Sequence, residues 1–148
     1  MFSRIIGIGS PFGLDRIGIE VVEQLKTASL AQQIELIVLD RPGLGLVDYF
    51  DVDSLLIVDA VLTDGPVGEV HNIDIRALEK NFKILSTHNA GIVDAIVLAR
   101  SLNVIPANLQ ILGINIGTDP ISTDSEPEIP AKWIQGAKDK IIELTGKE

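Results

Sequence analysis

The sequence predicts an α/β fold built on a parallel or mostly parallel sheet that is covered on both faces. Short apolar runs typical of buried strands alternate along the chain with segments whose apolar residues repeat at helical spacing. Such alternation favours parallel strands connected by helices that pack on the sheet. No internal repeat, low-complexity tract or linker interrupts the pattern, so residues 1–148 are predicted to form one domain.

The first half of the chain predicts three strands. Residues 4–9 form a short apolar run that ends in glycine, and residues 16–28 place their apolar side chains on one helical face. Asp15 stands at the position of an N-cap for that helix. The other predicted elements of this half are a strand over 34–39, a short helix over 45–50 and a strand over 54–61.

The second half predicts two further helices. Weak alternation over 68–73 indicates an edge strand, in which His71 is expected to be exposed to solvent. Helical spacing predicts helices over 90–102 and 130–144, the latter with Pro130 in its first turn. The remaining predictions are strands over 82–85 and 109–116 and an exposed loop over 117–129.

Composition and charge exclude several classes of protein. A net charge of −9 argues against nucleic-acid and anionic membrane partners, because phosphate groups would be repelled. The absence of cysteine excludes disulfides, thiolate nucleophiles and cysteine-based zinc sites. Neither a signal peptide nor an apolar stretch of roughly 18 residues is visible, so a cytoplasmic protein is expected. A chain of this size is expected to be a monomer.

Three potential metal ligands follow separate predicted elements. Asp15 comes after the glycine-rich end of the first strand, Asp59 ends an apolar run, and His88 precedes a helix. Because ligands bind beyond the carboxyl ends of strands in open α/β sheets, these side chains are expected to converge. Two carboxylates and an imidazole suit a divalent ion such as zinc or nickel. Structural roles also stay open: a helix cap, an acceptor of backbone N–H groups and a core histidine, respectively.

Four segments, in this order and spacing, carry a resemblance to one family. They are Gly7-Ile8-Gly9-Ser10 with Asp15-Arg16-Ile17-Gly18, Leu56-Ile57-Val58-Asp59 through Gly65-Pro66-Val67-Gly68, Ser86-Thr87-His88-Asn89, and Leu112-Gly113-Ile114. Over nearly its whole length the chain resembles the hydrogenase maturation endopeptidases, which trim the C-terminal extension from the nickel-bearing large subunit of nickel–iron hydrogenases. The resemblance implies a three-layer, phosphorylase/hydrolase-like sandwich with a twisted five-stranded sheet, and a metal cluster of Asp15, Asp59 and His88.

The resemblance also implies an activity. It is the endopeptidase cleavage of a nickel-loaded large-subunit precursor, in which the precursor is the partner and supplies the nickel. The metal would polarise the scissile carbonyl and lower the pKa of a bound water, or would anchor the substrate while one carboxylate acts as general base. Several segments depart from the family pattern: a shorter opening loop, Ser10 for Asn, Arg41-Pro42-Gly43 in place of a Gly-Gly-Thr loop, and Asn115-Ile116 for Glu-Pro. The changed 41–43 loop leaves a second interpretation open, in which the chain is a non-catalytic relative that acts in metal-centre assembly.

A nucleotide-binding domain is the third interpretation. Gly7-Ile8-Gly9 lies between a strand and a helix, and Asp40 ends the second strand where a ribose-binding acid belongs. Against this, Phe12 occupies the third glycine position and Pro11 removes an N–H group from the loop. Asp15 places negative charge where phosphates would bind. No nucleotide cofactor is therefore expected.

Overall fold

The computed structural model of the protein describes residues 2–11, 13–28, 32–74, 90–117 and 128–146. The elements in these ranges are β1 (Arg4–Gly9), a first 3₁₀ helix (Gly13–Arg16), α1 (Ile17–Leu25), β2 (Glu35–Asp40), a second 3₁₀ helix (Gly43–Tyr49), β3 (Ser54–Val61), β4 (Val70–Asp74), α2 (Ala90–Ser101), β5 (Asn108–Asn115) and α3 (Ala131–Thr145). The predicted strand over 82–85, most of the predicted loop over 117–129 and His88 lie outside the described residues.

The described strands pair in the order β2-β1-β3-β5-β4. Neighbouring strands are parallel except for β4, which runs antiparallel to β5 at the edge of the sheet. This confirms the mostly parallel five-stranded sheet and the predicted edge strand. The register places Gly9 of β1 beside Asp40 of β2, and Gly7 beside Val58 of β3. The carboxyl ends of these three strands therefore meet at one edge.

Apolar side chains form one buried layer on each face of the sheet. Helices α1 and α3 cover one face, and α2 with the second 3₁₀ helix covers the other. The side chains of β3 alternate between the layers: Leu55 and Ile57 face α2, whereas Leu56 and Val58 face α1. The three-layer arrangement is thus confirmed. Because Asp59 follows Ile57 by two residues, the same alternation directs its carboxylate to the α2 side.

Helix α1 lies in close contact with the strands beneath it. A Cβ atom at Gly18 would meet the carbonyl oxygens of Ile8 and Val58, and one at Gly7 would meet the carbonyl oxygen of Gly18. A Cβ at Gly9 would meet the carbonyl oxygen of Asp15. Glycine is required at these contacts because any side chain would separate the helix from the sheet. The approach holds the first 3₁₀ helix against the end of β1.

The start of α1 differs from the prediction. Asp15 lies in the first 3₁₀ helix, and Arg16 occupies the N-cap position without a side-chain capping bond, so the capping role proposed for Asp15 is wrong. The reason is the tight turn at Gly13, which has a φ of 60° and begins a 3₁₀ turn before α1. Helix α1 also ends at Leu25, three residues before the predicted end at 28.

Asn115 fixes the turn that follows β3. Its side chain is fully buried, and its amide nitrogen donates to the carbonyl oxygens of Gly65 at 2.7 Å and Pro66 at 2.9 Å. Its Oδ1 accepts hydrogen bonds from the N–H groups of Thr63 at 3.3 Å and Gly117 at 2.9 Å. Every donor and acceptor of this buried amide is therefore used, as burial of a polar group requires.

We expect Asn115→Ala to lower the free energy of unfolding by about 3 kcal/mol, because four hydrogen bonds are lost and buried backbone groups lose their partners. Urea denaturation measures the change. Asn72→Ala is the matched control: Asn72 is exposed on β4, so its loss should change stability by less than about 0.5 kcal/mol. Equal effects of the two substitutions would contradict the role of Asn115.

The fold also determines the surroundings of two side chains near this turn, those of Trp133 and His71. Trp133 of α3 packs its ring against Gly68, which has a φ of 85°. His71 is only 27% exposed, and its buried Nε2 lies 3.2 Å from Oε1 of Glu69, so the prediction that it is exposed is wrong. Strand alternation explains this, because His71 shares a face of β4 with the buried Ile73.

No helix in the described part of the chain combines the length and the apolarity that a membrane span requires.

Candidate functional site

A cavity of about 320 Å³ lies at the carboxyl ends of β1, β2 and β3, on the α2 side of the sheet. Both predicted aspartates, Asp15 and Asp59, contribute to its wall. The full lining consists of strand ends, the loop after β2, and the first turn of α2: Ile8, Gly9, Asp15, Arg41, Pro42, Gly43, Leu46, Asp59, Gly91 and Ile92. The structure therefore brings together two predicted ligands that are 44 positions apart in the sequence.

Asp59 is a buried carboxylate of which only one oxygen accepts a hydrogen bond from the described residues. The residue is 1% exposed, and its Oδ1 accepts a hydrogen bond of 2.7 Å from the N–H of Ala60. Its Oδ2 is buried and has no hydrogen-bond partner among the described residues. The predicted role as an acceptor of backbone N–H groups is thus true for one oxygen only. A buried charged oxygen without a partner is costly, and a bound cation would compensate it.

Burial, together with the negative charge of Asp15, raises the pKa of Asp59 well above its ordinary value of 3.8. The hydrogen bond from Ala60 acts in the opposite direction but is the smaller influence. Asp15 is therefore close enough to disfavour the charged form of Asp59. This donor set fits a divalent cation, because a cation between two carboxylates would remove both the repulsion and the desolvation cost.

The third predicted ligand, His88, lies outside the described residues. Within the described ranges, no three histidine, aspartate or glutamate side chains form a group suited to a metal ion. In the sequence, His88 comes three residues before Gly91, which lines the cavity.

Glycine residues also line the cavity, among them Gly43 and Gly91. A Cβ atom at Gly91 would lie 3.2 Å from the Cα of Gly43, so the first turn of α2 closely approaches the loop after β2. A Cβ at Gly43 would meet nothing within 4 Å. Glycine lining lets a peptide main chain approach without obstruction from side chains. Together with Ile8, Leu46 and Ile92, it gives a small, mostly apolar cleft around two carboxylates.

Sequence reasoning did not identify Arg41 as part of this site. Its backbone has a φ of 45°, and its N–H donates to the carbonyl oxygen of Gly9 at 2.9 Å. Its Nε lies 2.7 Å from Oδ1 of Asp40, and this hydrogen bond, with the charges of Asp40 and Asp15, raises the pKa of Arg41. The signal in the sequence is Arg41-Pro42-Gly43, which departs from the family pattern at this loop.

The sequence profile of the hydrogenase maturation protease family (HycI) matches residues 19–143. Asp59 and His88 lie inside the matched range, and Asp15 lies four positions before it. No curated protein matches the chain.

Solved structures of maturation proteases share the fold. HybD from E. coli has a TM-score of 0.71 at 20% identity, covering 97% of this chain and 91% of its own. The hydrogenase 2 maturation peptidase from Thaumarchaeota archaeon SCGC_AB-539-E09 has a TM-score of 0.70 at 22% identity, with both chains fully covered. HybD from Thermococcus kodakarensis, a [NiFe] hydrogenase maturation protease, has a TM-score of 0.67 at 21% identity, covering 97% and 99%.

Proposed function

We propose that this chain, which belongs to the hydrogenase maturation protease family, is an endopeptidase that removes the C-terminal extension of a nickel-loaded large-subunit precursor of a nickel–iron hydrogenase. The observation that carries the proposal is the pairing of Asp15 with the buried Asp59 in one cavity. Family membership supports the hydrolytic activity, and the names of the similar structures support the class of substrate.

The proposed metal ligands are Asp15, Asp59 and His88, and the nickel arrives with the precursor as part of the substrate. Bound nickel supplies Lewis acidity, which favours attack of water on a peptide carbonyl. Nickel bound by the precursor would give a partner to the Asp59 oxygen that has none within the described ranges. Dependence on that nickel would restrict cleavage to precursors whose metal has been inserted.

The protein's own residues contribute position and proton transfer. Asp59 projects from the rigid central strand β3, so its carboxylate has a fixed place at the cavity floor. Asp15 is held by the close approach of the first 3₁₀ helix to Gly9. A carboxylate of the pair that is not bound to the metal would be placed to accept a proton from an attacking water and to release it to the leaving amine. The apolar residues Leu46 and Ile92 line the same cavity.

Single alanine substitutions at Asp15, Asp59 and His88 test the proposal. We expect each to abolish shortening of a nickel-loaded precursor, as followed by mass spectrometry, because each removes one ligand. Asp139→Ala and His71→Ala are matched controls, since Asp139 is exposed on α3 and neither residue lines the cavity; both variants should process the precursor fully. Full processing by all three site variants would reject the site.

The changed loop at Arg41-Pro42-Gly43 favours a second candidate, a relative that binds the precursor during metal-centre assembly without cutting it. The same experiment separates the two functions. A precursor that forms a stable complex with the wild-type chain, yet keeps its full mass after nickel loading, would support assembly over cleavage.

A further inference from the structure

Arg41 is the only basic side chain among the described residues that line the cavity. Its side chain is 63% exposed, so it lies between the cavity and solvent. The same cavity contains Asp15 and Asp59. A peptide that enters it therefore meets one cationic group and two carboxylates, of which that of Asp59 is buried.

The backbone at Arg41 is unfavourable for arginine. A φ of 45° lies in the left-handed region, which glycine adopts freely and residues with a Cβ adopt at a cost. The hydrogen bond from its N–H to Gly9 fixes this conformation against the end of β1. An arginine at a position that suits glycine indicates that its side chain has a use beyond forming the turn.

The contact between Arg41 and Asp40 orients the guanidinium and is exposed to solvent. Nε and Nη2 of Arg41 lie 2.7 Å and 3.4 Å from the two Asp40 oxygens. The two side chains are 63% and 53% exposed, and exposed ion pairs contribute little to stability. Exchange of part of this contact for a carboxylate on a ligand therefore costs little.

We propose that Arg41 is a specificity-determining residue that binds a carboxylate of the peptide substrate. The inference rests on the proposed endopeptidase function. The chain carries a net charge of −9 and the cavity contains two aspartates, so an anionic group would be repelled unless a cation receives it. Guanidinium groups pair with carboxylates in a bidentate manner that also fixes orientation. Arg41 thus binds the anionic part of a substrate whose cationic part faces Asp15 and Asp59.

The test compares KM and kcat for precursor cleavage by Arg41→Gln, Arg41→Lys and Arg41→Gly. We expect KM to rise about tenfold in the Gln and Gly variants with kcat nearly unchanged, and to rise less in the Lys variant, which keeps the charge. The Gly variant excludes a backbone role, because it relieves the unfavourable φ yet loses the cation. Arg100→Gln is the control: it removes the same charge from an exposed position on α2, away from the cavity, and should leave KM unchanged.

Substrate variants identify the source of the carboxylate. One set neutralises each acidic side chain of the extension in turn (Asp→Asn, Glu→Gln), and another lengthens the extension by three glycines, which displaces its terminal carboxylate. We expect one change to raise KM about tenfold with the wild-type protein and to have no further effect with Arg41→Gln. Unchanged KM in Arg41→Gln, wild-type KM in Arg41→Gly, or additive effects with every substrate would overturn the inference.

The dissociation constant of the protein–precursor complex provides a readout that does not depend on cleavage. A wild-type chain that binds the precursor without cutting it would reject the proposed function, and the Arg41 inference would then be judged by weaker binding of Arg41→Gln, about tenfold, against unchanged binding of Arg100→Gln. Equal affinities of wild type and Arg41→Gln would reject it. Failure of the wild-type chain to bind any precursor would reject both proposals.

Discussion

Asp59→Asn should cleave the precursor at least on the order of a thousandfold more slowly than the wild-type protein and yet be more stable at neutral pH. The substitution preserves the shape of the side chain but removes its charge. The loss of activity follows from the proposed role of Asp59 as a metal ligand. The gain in stability follows because the folded protein no longer buries a carboxylate of which one oxygen has no hydrogen-bond partner among the described residues.

The pH dependence of stability provides a second measurement on the same variant. Burial and the charge of Asp15 raise the pKa of Asp59 in the folded state, so the folded protein binds this proton more tightly than the unfolded chain does. The contribution of this bound proton to the free energy of unfolding is fully present below pH 3.8. It is lost as pH rises through the pKa of Asp59 in the folded state. The free energies of unfolding of Asp59→Asn and wild type are measured by urea denaturation without metal. The variant should therefore become increasingly more stable than the wild type as pH rises from about 4.

Asp51→Asn is a matched control, because the pKa of Asp51 is shifted in the opposite direction and its effect on stability should depend on pH in the opposite way. The hydrogen bond from Arg4 to Asp51 lowers the pKa of Asp51, so its contribution is present at neutral pH and lost on acidification. Its substitution should slightly destabilise the protein at neutral pH and leave cleavage intact. An Asp59→Asn variant that is inactive because it is unfolded, or one that cleaves normally, would contradict the account of the site.

Gly18→Ala should lower the free energy of unfolding by about 3 kcal/mol, a large share of the stability of a single domain. The added methyl group would meet the carbonyl oxygens of Ile8 and Val58, which belong to the two parallel strands at the centre of the sheet. Backbone atoms held by ladder hydrogen bonds cannot move aside as a flexible side chain would. Relief requires α1 to shift away from the sheet, which opens the core between them.

Gly136→Ala is the control for this prediction, because both glycines lie in α-helices and helix propensity alone favours alanine at each. A Cβ at Gly136 would meet nothing within 4 Å. We therefore expect Gly136→Ala to stabilise the protein by about 0.5 to 1 kcal/mol. Chemical denaturation measures the free energy of unfolding of both variants. Changes of the same sign would show that close packing at Gly18 does not determine the effect of the added methyl group.

The strands and the helix layers could be predicted because they depend on local patterns. The run of apolar residues in β3 belongs to a strand buried on both faces, and its limits agree with the structure at Ser54–Val61. The spacing of Ile134, Ala137 and Ile141 likewise indicated the buried face of α3. Such patterns repeat over several turns or residue pairs, so single exceptions do not hide them.

The features that could not be predicted depend on contacts between distant segments. Asp15 has the residue type and the sequence position typical of an N-cap. The turn at Gly13 and the close approach to Gly9 instead place it in a 3₁₀ helix beside the cavity. The left-handed backbone conformation of Arg41, which lines the cavity, is indicated by no local preference of arginine. The convergence of Asp15 and Asp59 was predictable from the rule on strand ends, whereas the effect of Asp15 on the pKa of Asp59 depends on their positions in the folded chain.

The position of Trp133 gives the protein an intrinsic fluorescent reporter. It is the single tryptophan of the chain, and its indole ring packs against Gly68 and is not among the residues that line the described cavity. Its emission should shift to longer wavelength when α3 separates from the turn after β3, since the ring then enters water. A spectral shift on titration with a ligand would accordingly signal movement of α3 relative to this turn.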